Sequence, residues 1–183
     1  MDAPATWPPD TLLLDDDALL AQCEKHVYKS SGPGGQHRNK VSSAVRLRHI
    51  PTGISAHGDD SRSQHENLRL ALRRLRMNLA CQFRRPIDPS QPPPAVVVEC
   101  TFIARGGPAR GKRRLEVGQR DHRFWAVAAA VLDAMDAFQG RLSDAAAYLG
   151  IGTGNLSGFL AGERHLLAAA QAVRKAHGQS RLH

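Results

Sequence analysis

From residue 41 to residue 57 apolar and polar positions alternate. Val41, Val45 and Leu47 share one parity while Arg46 and Arg48 share the other, the period of a half-buried β-strand. Pro51-Thr-Gly53 interrupts the run as a turn, and Ile54–His57 resumes it as a partner strand. Upstream, Val27 and Tyr28 within Cys23–Lys29 favour another strand. Asp15, Asp16 and Asp17 precede Ala18–Gln22, which places acids at the positive end of a short helix. The period then changes. Leu68, Leu72, Leu75, Leu79 and Phe83 fall at i, i+4, i+7, i+11 and i+15, predicting a helix over residues 62–83 whose apolar stripe packs on the sheet. Ser61-x-x-Gln64 and Ser63-x-x-Glu66 both offer capping boxes at its start. Arg69, Arg73, Arg74 and Arg76 lie mostly off that stripe.

Beyond the helix, Pro86, Pro89 and Pro92-Pro-Pro94 mark a stiff loop. Ala95–Ile103 has the β-branched content of one more strand. Ala104–Arg114 then carries Arg105, Arg110, Lys112, Arg113 and Arg114 among glycines, with no acid. The last third reads as helical. Phe124, Ala128, Val131, Met135 and Phe138 form a stripe ending at Gly140; Leu142–Leu149, Gly150–Gly154 and Asn155–Leu160 read as helix, turn, helix; Glu163–His177 forms a further helix. A helical bundle accounts for this pattern, and a helix-turn-helix unit is the alternative, with Asn155 and Ser157 placed to touch nucleic acid. The predicted fold class is α+β: a small mixed sheet packed on one long helix, followed by a small all-helical unit. The expected divisions are an N-terminal extension (1–19), a first domain (20–104, with the proline-rich loop 86–94 inside it), a basic linker (105–120) and a helical domain (121–183).

Composition narrows the partners. Lys and Arg number 25 against 17 Asp and Glu in 183 residues, a net charge of +8, which favours nucleic acid or another anionic surface. Aromatic residues are only 5%, so extensive stacking of single-stranded bases is poorly supported. Cys23, Cys81 and Cys100 are widely spaced and fit reduced thiols of a cytoplasmic protein. Cys23 and His26 lack a second ligand pair, so no metal is expected. No leader-like start or membrane-length apolar run is present, and no membrane partner is expected.

The chemistry concentrates at residues 30–40, Ser-Ser-Gly-Pro-Gly-Gly-Gln-His-Arg-Asn-Lys. Glycines let a substrate approach the backbone and proline restrains the turn. Gln36 stands among Lys29, His37, Arg38 and Lys40, so one neutral amide is framed by groups that attract phosphates. A plain glycine-rich surface turn has the same composition. A nucleotide phosphate loop does not fit, because Lys40 lies between Asn39 and Val41 without the G-x-x-x-x-G-K-[ST] frame.

The ordered series Ser30–His37, Asn39, Ser43-Ala-Val-Arg46, His49-Ile-Pro-Thr-Gly-Ile54 and Arg62-Ser-Gln64 resembles the GGQ domain of class I peptide chain release factors and their short ribosome-rescue relatives. Two positions depart from that pattern: Lys29 replaces the usual arginine, and Arg38 the usual valine or isoleucine. The resemblance implies hydrolysis of the peptidyl-tRNA ester on the ribosome, with Gly34, Gly35 and Gln36 as catalytic residues and no cofactor. It also implies that Gln36 can carry N5-methylation. Expected RNA contacts are Lys29, His37, Arg38, Lys40, Arg62, Arg105, Arg110, Lys112, Arg113 and Arg114. The helix arginines are either a solvated face or further contacts to ribosomal RNA. The expected partners are large-subunit rRNA at the peptidyl transferase centre and peptidyl-tRNA, for a protein acting as a monomer. The segment preceding residue 20 is too short for a codon-reading domain, which implies codon-independent rescue. Two other classes stay open: a noncatalytic RNA-binding protein of the same fold, and a DNA-binding regulator built on the helix-turn-helix-like end.

Overall fold

The computed structural model describes residues 9–29 and 42–182. The chain forms two units, divided at Leu79 and Ala80, inside the long helix and ahead of residue 104, where the first domain was expected to end.

In the first unit a 3-10 turn, Pro9–Leu13, leads into α1, Asp16–Ala21. Asp15 caps α1, its carboxylate accepting from Ala18 N at 2.8 Å, as the acid run predicts. Strands β1 (Cys23–Tyr28), β2 (Ala44–His49) and β3 (Ser55–Gly58) form a sheet in that order. The sheet was expected to be mixed, but both pairings are antiparallel. For β2 and β3 the physical reason is the short turn between them, since a parallel pairing needs a crossover of a dozen or more residues. Val45, Leu47 and His49 are buried while Arg46 and Arg48 are exposed. The alternation read from the sequence therefore has the correct face inward.

Helix α2, Gln64–Gln82, carries Leu72, Leu75 and Leu79 into this core together with Ala71. Leu68 and Phe83, the ends of the predicted stripe, are only partly buried. The capping is more economical than the two boxes anticipated. Ser63 Oγ accepts from Glu66 N at 3.3 Å, but Ser63 N is taken by Ser61 Oγ and the Glu66 carboxylate takes the Ser61 hydroxyl. Ser61 thus does the work expected of a returning Glu66.

The second unit corrects two expectations. Ala95–Ile103 is not one strand: Ala95–Glu99 is a helix, α3, and only Thr101–Ile103 is a strand, β4. Burial decides this, because Val97 and Cys100, three residues apart, both enter the core, and β-propensity yields to tertiary context. The basic run is not a linker but a hairpin. β4 pairs with β5, Arg113–Leu115, and Ala104 N and Gly111 N bond Lys112 O and Ala104 O at 2.9 and 2.8 Å. The C-terminal unit is therefore helical with one small hairpin.

Four helices follow: α4 (Phe124–Ala137), α5 (Leu142–Tyr148), α6 (Thr153–Ala161) and α7 (Arg164–Ala176). Every residue from Ala126 to Met135 is buried, so α4 is the central helix of the bundle and not a one-stripe surface helix. Its one buried acid, Asp133, accepts from Arg84 Nη1 at 3.1 Å, Arg85 Nε at 2.8 Å and Arg85 N at 3.0 Å. Burial pushes the Asp133 carboxyl up, and the two guanidiniums pull against it. Among the described residues no helix is long and apolar enough to cross a membrane.

Candidate functional site

The connection between β1 and β2 contains the Gly-Gly-Gln series. Gly34, Gly35, Gln36, His37, Arg38 and Lys40 lie outside the described residues. At the base of the connection, Tyr28 and Ala44 are paired in the antiparallel register, so the chain leaves and re-enters the sheet at neighbouring points. Gln36 is equidistant in sequence from those two residues. Lys29, the first residue after β1, is exposed.

The return point is clamped by a residue the sequence reading missed. Asn67, fully buried in the first turns of α2, donates from Nδ2 to Ser43 O at 2.7 Å and Ser61 O at 2.8 Å. Its Oδ1 accepts from Ser61 N at 2.9 Å. One amide therefore satisfies three main-chain groups on two segments. The signal was present: Asn67 lies on the same helical face as Ala71 and Leu75, and a polar residue on a buried stripe must find partners. Ser43 also contributes to this joint, its hydroxyl donating to Ser61 O at 3.5 Å. Gly58 matters for the same joint. A Cβ there would stand 2.0 Å from the Asn67 carbonyl oxygen, so only glycine lets β3 approach α2 this closely.

On the solvent face of the sheet, His26, Arg46 and His57 line up across the three strands, and all three are exposed. Tyr28 Oη lies 3.1 Å from His57 Nδ1. Burial and then the charge of Asp59 push the Tyr28 phenol up, with Arg46 acting in the opposite sense. Arg48 pairs with Glu24 at 3.2 Å. Arg62, an expected RNA contact, is exposed beside Ser61.

The helix arginines divide by role. Arg74 donates to His57 O at 2.9 Å and pairs with Asp60 at 2.9 Å, holding that carboxyl below its ordinary range. Arg76 reaches Asp16 at 2.7 Å and Leu14 O at 2.6 Å. Both guanidiniums are thus engaged in the fold, whereas Arg69 and Arg73 are exposed.

In the second unit Arg105, Arg110, Lys112 and Arg113 are exposed on the β4–β5 hairpin and Arg114 is partly buried. Lys112, Arg113 and Arg114 form one wall of a cleft of about 590 Å³ facing the α5–α6 turn. Asn155, read from sequence as a possible nucleic-acid contact, has a different use. Its Oδ1 accepts from Leu115 N at 2.7 Å and its Nδ2 donates to Leu115 O at 3.2 Å, imitating a neighbouring strand for β5.

The first unit is thus a three-stranded antiparallel sheet backed by one helix, with the Gly-Gly-Gln series in sequence between its first two strands. Residues 19–94 match the RF-1 domain family. Peptide chain release factor 2 of Helicobacter pylori (strain ATCC 700392 / 26695) is 50% identical over 70 residues, which are 36% of this chain and 19% of that protein. Peptide chain release factor 2 of Acidovorax sp. (strain JS42) is 60% identical over 53 residues, 29% of this chain and 14% of that protein. The chain thus spans less than a fifth of the length of these relatives.

Proposed function

We propose that this protein hydrolyses the ester bond of peptidyl-tRNA on the ribosome and does so without reading a stop codon. The observation that carries the reaction is the intact Ser30–His37 series at the centre of the β1–β2 connection of an RF-1 domain. Ester hydrolysis there needs a positioned water and stabilisation of the charge that develops on the ribose oxygen. In this reading the Gln36 backbone N–H supplies the stabilising dipole, its side-chain amide lines the water's position, and Gly34 and Gly35 permit the bend that aims the N–H. A glutamine suffices because no proton has to be held by residue 36. Lys29, His37, Arg38, Lys40 and Arg62 would hold surrounding phosphates, and N5-methylation of Gln36 would tune the amide without adding charge.

The codon-independent part is supported by the exposed cationic hairpin of the second unit, a grip on RNA phosphates that needs no codon. The partners in this reading are large-subunit rRNA and peptidyl-tRNA, and the compartment is the cytoplasm. A DNA-binding regulator is disfavoured by α6: its exposed Thr153, Gly154 and Gly158 offer little to read base edges. The test is nascent-peptide release from ribosome complexes with and without a stop codon in the decoding site. Wild type should release in both cases and Gln36→Ala in neither. Equal release by Gln36→Ala rejects the catalytic reading; release only on a stop codon rejects the codon-independent one.

A further inference from the structure

We propose that the cleft between the β4–β5 hairpin and the α5–α6 turn is a phosphate-binding site for an unpaired RNA strand. One side is lined by Lys112, Arg113 and Arg114, and the other by Gly150, Ile151, Gly152, Gly154 and Asn155, where the glycines leave the main chain bare. Among the described residues no acid lines the cleft. The nearest carboxylate to this cation row is Glu116, 3.5 Å from Arg114 Nε at its edge, and that nitrogen is buried without a hydrogen-bond partner among the described residues. The volume of about 590 Å³ accommodates a phosphate with its sugar.

The two walls are held in register. Asn155 pins Leu115, the last residue of the hairpin, to the first turn of α6. Arg113 Nη1 lies 3.9 Å from the position of a Cβ on Gly150. At Gly152 and Gly154 a Cβ would meet nothing within 4 Å, so the main chain there is open to a ligand. α6 begins at Thr153 with no side-chain cap, and its first N–H groups have no partner within the helix. They point the same preference for negative charge at the cations' ligand.

The strand's character follows from β4. Phe102 is 52% exposed and stands directly across from Arg114 in the hairpin, so both leave the same face of the sheet. Phe102 does not line the cleft itself, but an exposed aromatic beside Arg114 suits bases that are free to unstack, which a duplex does not offer. The phosphate chemistry stands on this unit alone; the choice of RNA over DNA rests on the release-factor reading above.

The test uses the full-length protein and labelled single-stranded RNA, with duplex DNA as the second probe, read by fluorescence anisotropy across a salt series. Gly152→Asp is the informative variant. Gly152 has φ −78° and ψ 147°, which any residue adopts, and aspartate is a favoured cap at that position. It should therefore preserve or raise the melting temperature while weakening RNA binding about fivefold to tenfold, the effect of one charge near a phosphate. Arg113→Gln should lower the salt slope by about one for each phosphate that the side chain no longer neutralises, and Phe102→Ala should weaken single-stranded RNA more than duplex DNA. Wild-type RNA affinity in both Gly152→Asp and Arg113→Gln overturns the site. Tighter binding of duplex DNA than of the RNA strand overturns the choice of RNA. Gln36→Ala should bind RNA like wild type, so loss of release and loss of this site are read separately.

Discussion

Asn67 donates a 2.7 Å hydrogen bond to the main-chain carbonyl of Ser43, so a helix side chain fixes the point at which the Gly-Gly-Gln connection rejoins the sheet. The same amide serves both main-chain groups of Ser61. Replacing Asn67 with alanine strands these groups in a buried place, which should cost about 3 kcal/mol. Denaturant unfolding should show the loss, and peptide release should fall at temperatures where the protein is still folded.

Gly58→Ala tests the closeness of β3 and α2. With a Cβ placed 2.0 Å from a backbone oxygen, the helix has to shift, at about 3 kcal/mol or more. A melting temperature equal to wild type would show that the contact is looser than described.

The first unit should weaken in mild acid. His49 is fully buried, with ring nitrogens 2.9 Å from Thr52 Oγ1 and 3.1 Å from Gln22 Oε1, and burial lowers its pKa from 6.5. The unfolded chain therefore takes up a proton that the folded one resists. Stability conferred by the neutral ring is complete above pH 6.5 and declines as pH falls from there through the lowered folded value. His49→Gln, which cannot titrate, should flatten that part of the stability profile even if it is less stable throughout.

Asn155→Ala should release the hairpin from α6. Loss of two hydrogen bonds to Leu115 predicts a cost of about 1–2 kcal/mol and faster hydrogen exchange at the Leu115 amide. Asn155→Asp keeps an acceptor for Leu115 N and should retain protection at that amide while losing the bond to Leu115 O.

Thiol chemistry offers a separate check. Burial pushes the thiols of Cys23 and Cys81 up to about 11, so both should react slowly with alkylating reagents at neutral pH. Rapid labelling of either in the folded protein would contradict its placement.

What the sequence disclosed was whatever local period or spacing could encode. Alternation along β2, the turn before β3, the stripe on α2 and the acid cap of α1 all come from neighbours in the chain. The resemblance carried by Ser30–His37 and the pieces that follow it agrees with the RF-1 match over residues 19–94. Residues whose role depends on distant partners stayed hidden. Asn67, Gly58 and Asn155 act on main-chain groups of other segments, and nothing adjacent to them announces it. Valines 96–98 misled because strand propensity is weak against the chance to bury Val97 and Cys100 three residues apart. The basic run was legible as charge but not as a hairpin, since β4 and β5 are only three residues each.

The bonds from Arg84 and Arg85 to Asp133 bear on how such a chain can be recombined. A helical module cut away after residue 104 would leave Asp133 without its counter-ions and the core without Val97 and Cys100. Its inheritable block begins at Ala80, so that the sequence matching the RF-1 family and the sequence needed by the bundle overlap from Ala80 to Pro94. Residues 80–94 therefore have to satisfy two sets of constraints at once, and a join made at residue 104 would separate the bundle from part of its own core.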